Sequence, residues 1–359
     1  MPSPGVQTLL SQAMDGQPLS SEQWLELIAW EMEDRQRAET WGIIPQTVAE
    51  QLQERMDWLV RVAALHGQIP QFSRPLDDCL ELYWGLWLPL ALRLRDLRDR
   101  RQTALIQGIL GGQGTGKTTL TLILKHILAV MGYNAVGLSI DDIYKTYEER
   151  LALQAADPRL KWRGPPGTHD VSLGIATLQQ VHAAAPDDWI ALPRFDKSLH
   201  GGAGDRVDSE PVRGVDILLF EGWFVGVQPV ADDVFNQAPP PIETEADRQF
   251  ARDTNRQLQA YLPLWACLDQ LMVLYPEDYR ISKQWRLQAE HQMKAQGKAG
   301  MSDAMIEQFV EYFWRALHPE LFVTPLKANG DITDLVVEID RNRVPRSIYM
   351  PPKQATHSP

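Results

Sequence analysis

Gly111-Gly112-Gln113-Gly114-Thr115-Gly116-Lys117-Thr118 fits the pattern G-x-x-x-x-G-K-[ST] at every defined position. The glycines let backbone N–H groups turn inward around phosphate oxygens. Lys117 can reach the β and γ oxygens of a nucleotide such as ATP, and the Thr118 hydroxyl is placed to ligate Mg²⁺. The flanks agree. Upstream, Ala104 to Leu110 is a short, nearly continuous apolar run of the kind a buried parallel strand needs. Downstream, Leu120, Ile123, Leu124, Ile127, Leu128 and Met131 repeat at helical spacing, and Gly132 can end that helix in a left-handed cap. Strand, glycine loop and helix place an anion at a helix N-terminus. The expected nucleotide contacts are therefore Gly111, Gly112, Gln113, Gly114, Thr115, Gly116, Lys117, Thr118 and Thr119.

The 359 residues, 44% hydrophobic and 23% charged, have the composition of a soluble globular protein with one large core or two modest ones. A net charge of −12 argues against nucleic acid or an anionic membrane as partner, since both require a basic footprint. Anionic ligands must be met by local cations. Cys79 and Cys267 form no C-x-x-C pair, which suits a reducing compartment. The N-terminus shows no basic region followed by an apolar core. The apolar run Leu82 to Leu92, with Gly85 and Pro89, is far shorter than the ~20 residues a bilayer requires, so it reads as a buried helix. A cytoplasmic location is the expectation.

Residues 1–100 read as an all-helical extension, with helices over 21–39, 46–66 and 76–99, the last kinked or broken at Pro89. Tryptophans at 24, 30, 41, 58, 84 and 87 are expected to pack these helices on each other and on the next domain. From 101 to 350 strands alternate with helices, the pattern of an α/β fold with a parallel sheet flanked by helices. Ala135 to Ile140 makes a strand that delivers Asp141 and Asp142 to its carboxyl end, where such sheets place ligands. Ile190 to Pro193 leads through Arg194-Phe195-Asp196-Lys197-Ser198 into a glycine-rich charged loop at 201–206 that reads as shaped for a ligand. Val215 to Phe220 is an apolar strand ending in Glu221, the position of an acid that supports Mg²⁺. A Pro-rich loop at 238–241 is expected to be mobile, and a helix covers 245–262. Leu271 to Tyr275 is a further strand. Segment 277–300 carries Arg280, Lys283, Arg286, Lys294 and Lys298 on a helix, as a cationic lid would. Leu335 to Ile339 closes the sheet, and 351–359 reads as a disordered tail.

Gly-Gly-Gln-Gly-Thr-Gly-Lys-Thr (111–118), Ser-Ile-Asp-Asp-Ile-Tyr (139–144), Gly-Thr-His-Asp (167–170), Pro-Arg-Phe-Asp-Lys-Ser (193–198), Phe-Glu-Gly-Trp (220–223) and Trp-Arg-Leu-Gln-Ala-Glu (285–290) are specific in combination. Together they resemble the D-glycerate 3-kinase family of plants and cyanobacteria, itself similar to phosphoribulokinase, uridine kinase and bacterial pantothenate kinase. The resemblance covers about residues 100–345. It implies a P-loop kinase fold and ATP- and Mg²⁺-dependent phosphorylation of D-glycerate to 3-phosphoglycerate, in a salvage or photorespiratory role. It further implies that Asp141 orients or deprotonates the acceptor hydroxyl. By the same resemblance Asp142, Tyr144, His169, Asp170, Arg194, Asp196 and Lys197 hold substrate, Thr118 and Glu221 serve the metal, and Arg286 acts with Lys117 in catalysis. Ile143 departs from the aromatic the family leads one to expect. Arg194 is the residue expected to clamp the glycerate carboxylate with its planar fork. Other acceptors, pantothenate or uridine, and a regulatory ATPase without any acceptor, are alternatives on the same loop.

Overall fold

The computed structural model of the chain describes residues 4–70, 72–295 and 301–353. Its first hundred residues form helices α1 (Pro4–Met14), α2 (Ser21–Glu33), α3 (Arg35–Thr40) and α4 (Val48–Ala63), then α5 (Leu80–Leu82), a π turn (Tyr83–Trp87) and α6 (Leu88–Asp99). Next come β1 (Leu105–Gly111), α7 (Lys117–Val130), β2 (Ala135–Ser139), α8 (Tyr147–Ala156), α9 (Val171–Ala183), β3 (Trp189–Asp196), β4 (Asp205–Arg213) and β5 (Ile217–Gly222). The chain continues through α10 (Glu245–Gln257), α11 (Leu262–Trp265), β6 (Gln270–Pro276), α12 (Ile281–Ala295), α13 (Asp303–Ala316), α14 (Pro319–Phe322), β7 (Leu335–Ile339) and β8 (Pro345–Tyr349). No helix among the described residues is long and apolar enough to cross a membrane.

The main sheet runs β2-β5-β1-β6-β7-β8, parallel throughout except that β8 returns antiparallel to β7. Strand β1 lies at its centre and is buried along its whole length. Alternate residues of each strand face opposite layers. Leu105, Ile109, Ile217, Leu219, Met272 and Val337 pack with α7 and the N-terminal helices, whereas Ile106, Leu110, Leu218, Phe220, Val273 and Val336 pack with α9 and the segments after β5. The helical extension is therefore one of the two layers that cover the sheet.

Several boundaries differ from expectation, each for a local reason. The helix expected over 21–39 breaks at Asp34, whose Oδ1 accepts the Arg37 N–H at 3.0 Å and so starts α3. Pro89 does not break its helix. It enters at the start of α6 directly after the π turn, where a missing N–H and a fixed φ are tolerated. The Trp84 carbonyl, to which Pro89 has no N–H to offer, accepts from Arg55 Nη1 at 3.3 Å. Arg55 also lies 3.1 Å from the fully buried Glu31, with Arg37 at 3.8 Å, so one charge cluster joins α2, α3, α4 and the π turn.

The helix expected over 245–262 ends at Gln257 and continues as a 3₁₀ turn, with Pro263 opening α11. The stretch 201–206 is not all loop: β4 begins at Asp205 and pairs antiparallel with β3, with a bulge between Leu192 and Arg194. Its Asp-Ser-Glu-Pro sequence faces water and lacks the apolar alternation by which a strand is recognised. The 238–241 loop, expected to be mobile, is held by its carbonyls: His318 Nε2 donates to Pro240 O at 3.0 Å and Arg315 Nε to Pro241 O at 3.2 Å. Strand β8 was absent from the expected sheet. Pro351 is buried and Pro352 O accepts from Gly330 N, while residues 354–359 of the expected tail lie outside the described residues.

Gly132 ends α7 as expected. Its φ is +92°, its N–H donates to Ala129 O at 3.0 Å, and Tyr133 N donates to Leu128 O at 2.9 Å. A Cβ added there meets nothing within 4 Å, so the left-handed backbone alone sets the effect of a substitution. Gly132→Ala is expected to lower stability by about 1–2 kcal/mol, read from the urea midpoint.

Candidate active site

Strand β1 ends at Gly111 and α7 begins at Lys117, so the intervening loop presents the helix N-terminus at the carboxyl end of the sheet. The cap residue, Gly116, has φ +93° and no side chain, which leaves the first-turn N–H groups to an outside anion. Gly114 has φ +80°, and a Cβ there would stand 2.5 Å from the Trp285 Cβ. Lys117 Nζ donates to Gly111 O at 2.6 Å and Gly112 O at 3.1 Å and lies 4.0 Å from Glu221. Burial pulls the Lys117 pKa down, against the attraction of Glu221 and Asp141. Thr118 Oγ1 donates to Glu221 Oε1 at 3.2 Å, so the paired positions expected to serve a metal are brought together across β1 and β5. Gln113 Oε1 is buried without a partner.

The adjacent acids after β2 both lie in a 3₁₀ turn over Ile140–Ile143. Asp142 turns back: its Oδ2 accepts the Ser139 N–H at 2.9 Å and meets Arg194 Nη1 at 3.2 Å, and burial raises its pKa against those two partners. Asp141 instead meets Lys197, whose Nζ lies 2.6 Å from its Oδ2. Burial alone would raise the Asp141 pKa, but Lys197, with help from Tyr144 and His169, brings it below the usual carboxylate value. One acid is bound back to the strand end and Arg194, the other is paired with Lys197.

Behind Asp141, Tyr144 stacks on His169 with centroids 4.5 Å apart, and both are buried. His169 Nδ1 lies 2.8 Å from the Tyr261 hydroxyl, which also accepts the Gly167 N–H at 2.9 Å. The contact is met by either tautomer of the ring. The His169 Nε2 is buried and has no partner. A buried ring nitrogen without a partner is uncommon in a folded protein.

Burial holds His169 neutral, with its pKa pushed down to about 3, and His318 likewise, to about 4. Both would titrate near 6.5 in the unfolded chain. Above that value neither form binds a proton and these groups contribute no pH dependence. Below it only the unfolded chain takes protons up, so stability is lost as pH falls. The urea midpoint is expected to drop between about pH 7 and 5, less steeply in a His318→Asn variant.

Other expected site residues are engaged elsewhere. Arg194 donates to Asp142, to Glu210 at 2.8 Å and to Gly137 O at 3.1 Å, so its fork braces Asp142 and is not free to clamp a carboxylate. Asp170 caps α9 through Leu173 N and pairs with Arg206 at 2.8 Å. Asp196 closes a turn by accepting from Ser198 N and Oγ. Of the lid cations, Lys283 pairs with Glu307 and Glu311 and Arg280 with Asp278. Arg286 lies 2.8 Å from Glu290 and over the Phe309 ring. Lys298 lies outside the described residues. Sequence reasoning missed Arg343, whose Nε donates to Gly114 O at 2.6 Å and whose guanidinium lies over the Trp285 ring. The one local cue is the charged Asp-Arg-Asn-Arg turn after the closing strand.

No family model matches the chain. The chloroplastic D-glycerate 3-kinase of Arabidopsis thaliana is 29% identical over 323 residues, which span 85% of this chain and 69% of that protein. The uncharacterized kinase mug58 of Schizosaccharomyces pombe is 30% identical over 248 residues, 67% of this chain and 89% of the relative. Among solved structures, D-glycerate 3-kinase from Cryptococcus neoformans superposes with a TM-score of 0.65 at 27% identity, covering 74% of this chain and 99% of that one.

Proposed function

We propose, on the premise that the chain belongs to the P-loop kinase superfamily, that it transfers the terminal phosphoryl group of ATP to the 3-hydroxyl of D-glycerate, giving 3-phosphoglycerate and ADP. The observation that carries the acceptor half is the buried, unpartnered Nε2 of His169, electrostatically coupled to an ionised Asp141. A substrate hydroxyl brought to this pair would donate to the carboxylate. The relatives named for D-glycerate support the choice of that acceptor.

Each remaining part has a physical task. The first turn of α7 and Lys117 would hold the ATP phosphates, and Asp141 would orient the hydroxyl and take its proton. A hydroxyl and a carboxylate oxygen, from Thr118 and Glu221, form a hard-oxygen pair suited to Mg²⁺. When bound, that ion neutralises phosphate charge. With Arg194 committed to Asp142, Lys197 is the exposed cation at Asp141 and takes over the role of meeting the acceptor carboxylate.

Lys197→Met is expected to raise KM for D-glycerate roughly 10- to 100-fold, as for a lost hydrogen bond to a charged group, with KM for ATP little changed. Because Lys197 lowers the Asp141 pKa, its removal should also move the acid limb of kcat/KM to higher pH. The direct test is ADP release across D-glycerate, glycerol, pantothenate and uridine. Fastest turnover with D-glycerate is expected. Faster turnover with another acceptor, or ATP hydrolysis indifferent to all four, would overturn the assignment.

A further inference from the structure

A cavity of about 300 Å³ lies between α8, the connection from α8 to α9, and the turn that joins β3 to β4. Arg150, Lys161 and Arg163 line it, and none of the three has a task in the reaction proposed above. Among the described residues no carboxylate lines it, in a chain whose net charge is −12. The acids nearby are turned to other partners. Asp157 and Asp253 both pair with Arg159, Glu149 accepts the Thr146 N–H at 2.8 Å, and Asp205 accepts the Tyr147 N–H at 2.8 Å and meets His200 at 3.1 Å.

The two arginines are held in place by backbone carbonyls and share one aromatic ring. Arg150 donates through Nε to Lys145 O at 3.0 Å, through Nη1 to Ala203 O at 2.7 Å and through Nη2 to Gly204 O. Arg163 donates through Nη1 alone, to Gly202 O at 2.7 Å and Ala203 O at 3.0 Å. Their guanidinium carbons lie 5.1 Å and 5.6 Å from the Phe195 centroid. Carbonyls orient these cations without cancelling their charge. Burial pulls the Arg150 pKa down, and the like charge of Arg163 adds to that effect. The Nε and Nη2 of Arg163 and the exposed Lys161 ammonium have no partner among the described residues. Leu151, Leu160 and Trp162 supply an apolar wall, and Trp162 is fixed edge-on against Phe309 and Tyr312 of α13.

We propose that this cavity is a second anion site, separate from the phosphate loop, and that it takes a small phosphate-class dianion: free phosphate or the phosphate of a small ester. Lys117, Asp141 and Lys197 do not line it. Three positive charges with no acid among them match a doubly charged group better than a single carboxylate. The free edge of Arg163 offers two N–H groups to two oxygens of one anion, Lys161 adds a point charge, and Arg150 contributes its field.

The test is calorimetric titration of the full chain with inorganic phosphate, glycerol 3-phosphate and acetate at about pH 8, where a phosphate group carries two charges. Because the phosphate loop also suits phosphate, each titration is repeated in Lys117→Ala. Phosphate binding is expected to persist in Lys117→Ala, to weaken about 10-fold or more in Arg163→Gln, and to weaken about 3-fold or more in Lys161→Gln. Lys161 is exposed, so its variant tests the site even if Arg163→Gln disturbs the turn. Acetate should bind about 10-fold or more weakly than phosphate. Tighter binding of glycerol 3-phosphate than of phosphate identifies an ester as the ligand, and equal binding identifies free phosphate. No phosphate binding by the wild type, or acetate binding as well as phosphate, would overturn the proposal. So would binding that is lost in Lys117→Ala and unchanged in both cavity variants, which assigns the phosphate to the loop and leaves the kinase reading standing.

Discussion

Lys117→Ala is expected to lower kcat/KM by about 10³-fold or more while the melting profile stays that of the wild type. The side chain belongs to neither apolar cluster, and its hydrogen bonds are to two carbonyls of its own loop, Gly111 O and Gly112 O. Removing it subtracts a charge from the mouth of the loop and little from the core. Burial already disfavours the charged ammonium, and Glu221 and Asp141 offset this only in part. An incoming polyphosphate therefore meets a cation in a site of low polarity, where its attraction is strongest. Phosphoryl transfer depends mainly on such positioning and charge stabilisation. Steady-state kinetics alongside a thermal melt decides the matter. Near-normal activity with a normal melt would mean that the nucleotide is held elsewhere.

Asp141→Asn is expected to reduce kcat by about 10²- to 10⁴-fold with ATP affinity roughly preserved, the range for loss of a positioned acid–base group. Asp142→Asn should reduce kcat far less. The contrast arises from the turn over Ile140–Ile143: Asp142 is bound back to Ser139 N and Arg194, whereas Asp141 meets Lys197. Asp142→Asn should instead weaken the brace to Arg194 and lower stability, read in urea. Because Lys197 brings the Asp141 pKa below the usual value, Asp141 is ionised at neutral pH, and the acid limb of activity should lie below an ordinary carboxylate's. Equal, mild effects of both substitutions on kcat would reduce the pair to a solvated turn.

The phosphate loop, the strand before it and the helix after it were all legible in the sequence, as were Asp141 and Glu221 at their strand ends. These depend on neighbours along the chain: apolar periodicity, turn-forming glycines, and an acid that terminates an apolar run. The tertiary structure alone decided the partner of each of two adjacent acids, since that rests on a 3₁₀ turn and on the cations brought against each. It assigned Arg194 to Asp142 and Glu210, although Pro-Arg-Phe-Asp-Lys-Ser had suggested a free fork. It built β4 from a polar segment whose backbone is satisfied by pairing with β3. It also set Arg343 on Gly114, 229 positions away in the chain. Periodicity and turn chemistry act over a few residues and so are written locally. The partner of each charge is settled only when the fold decides which groups leave water together, and in this protein that gives Asp142 to Ser139 N and Arg194 and Asp141 to Lys197.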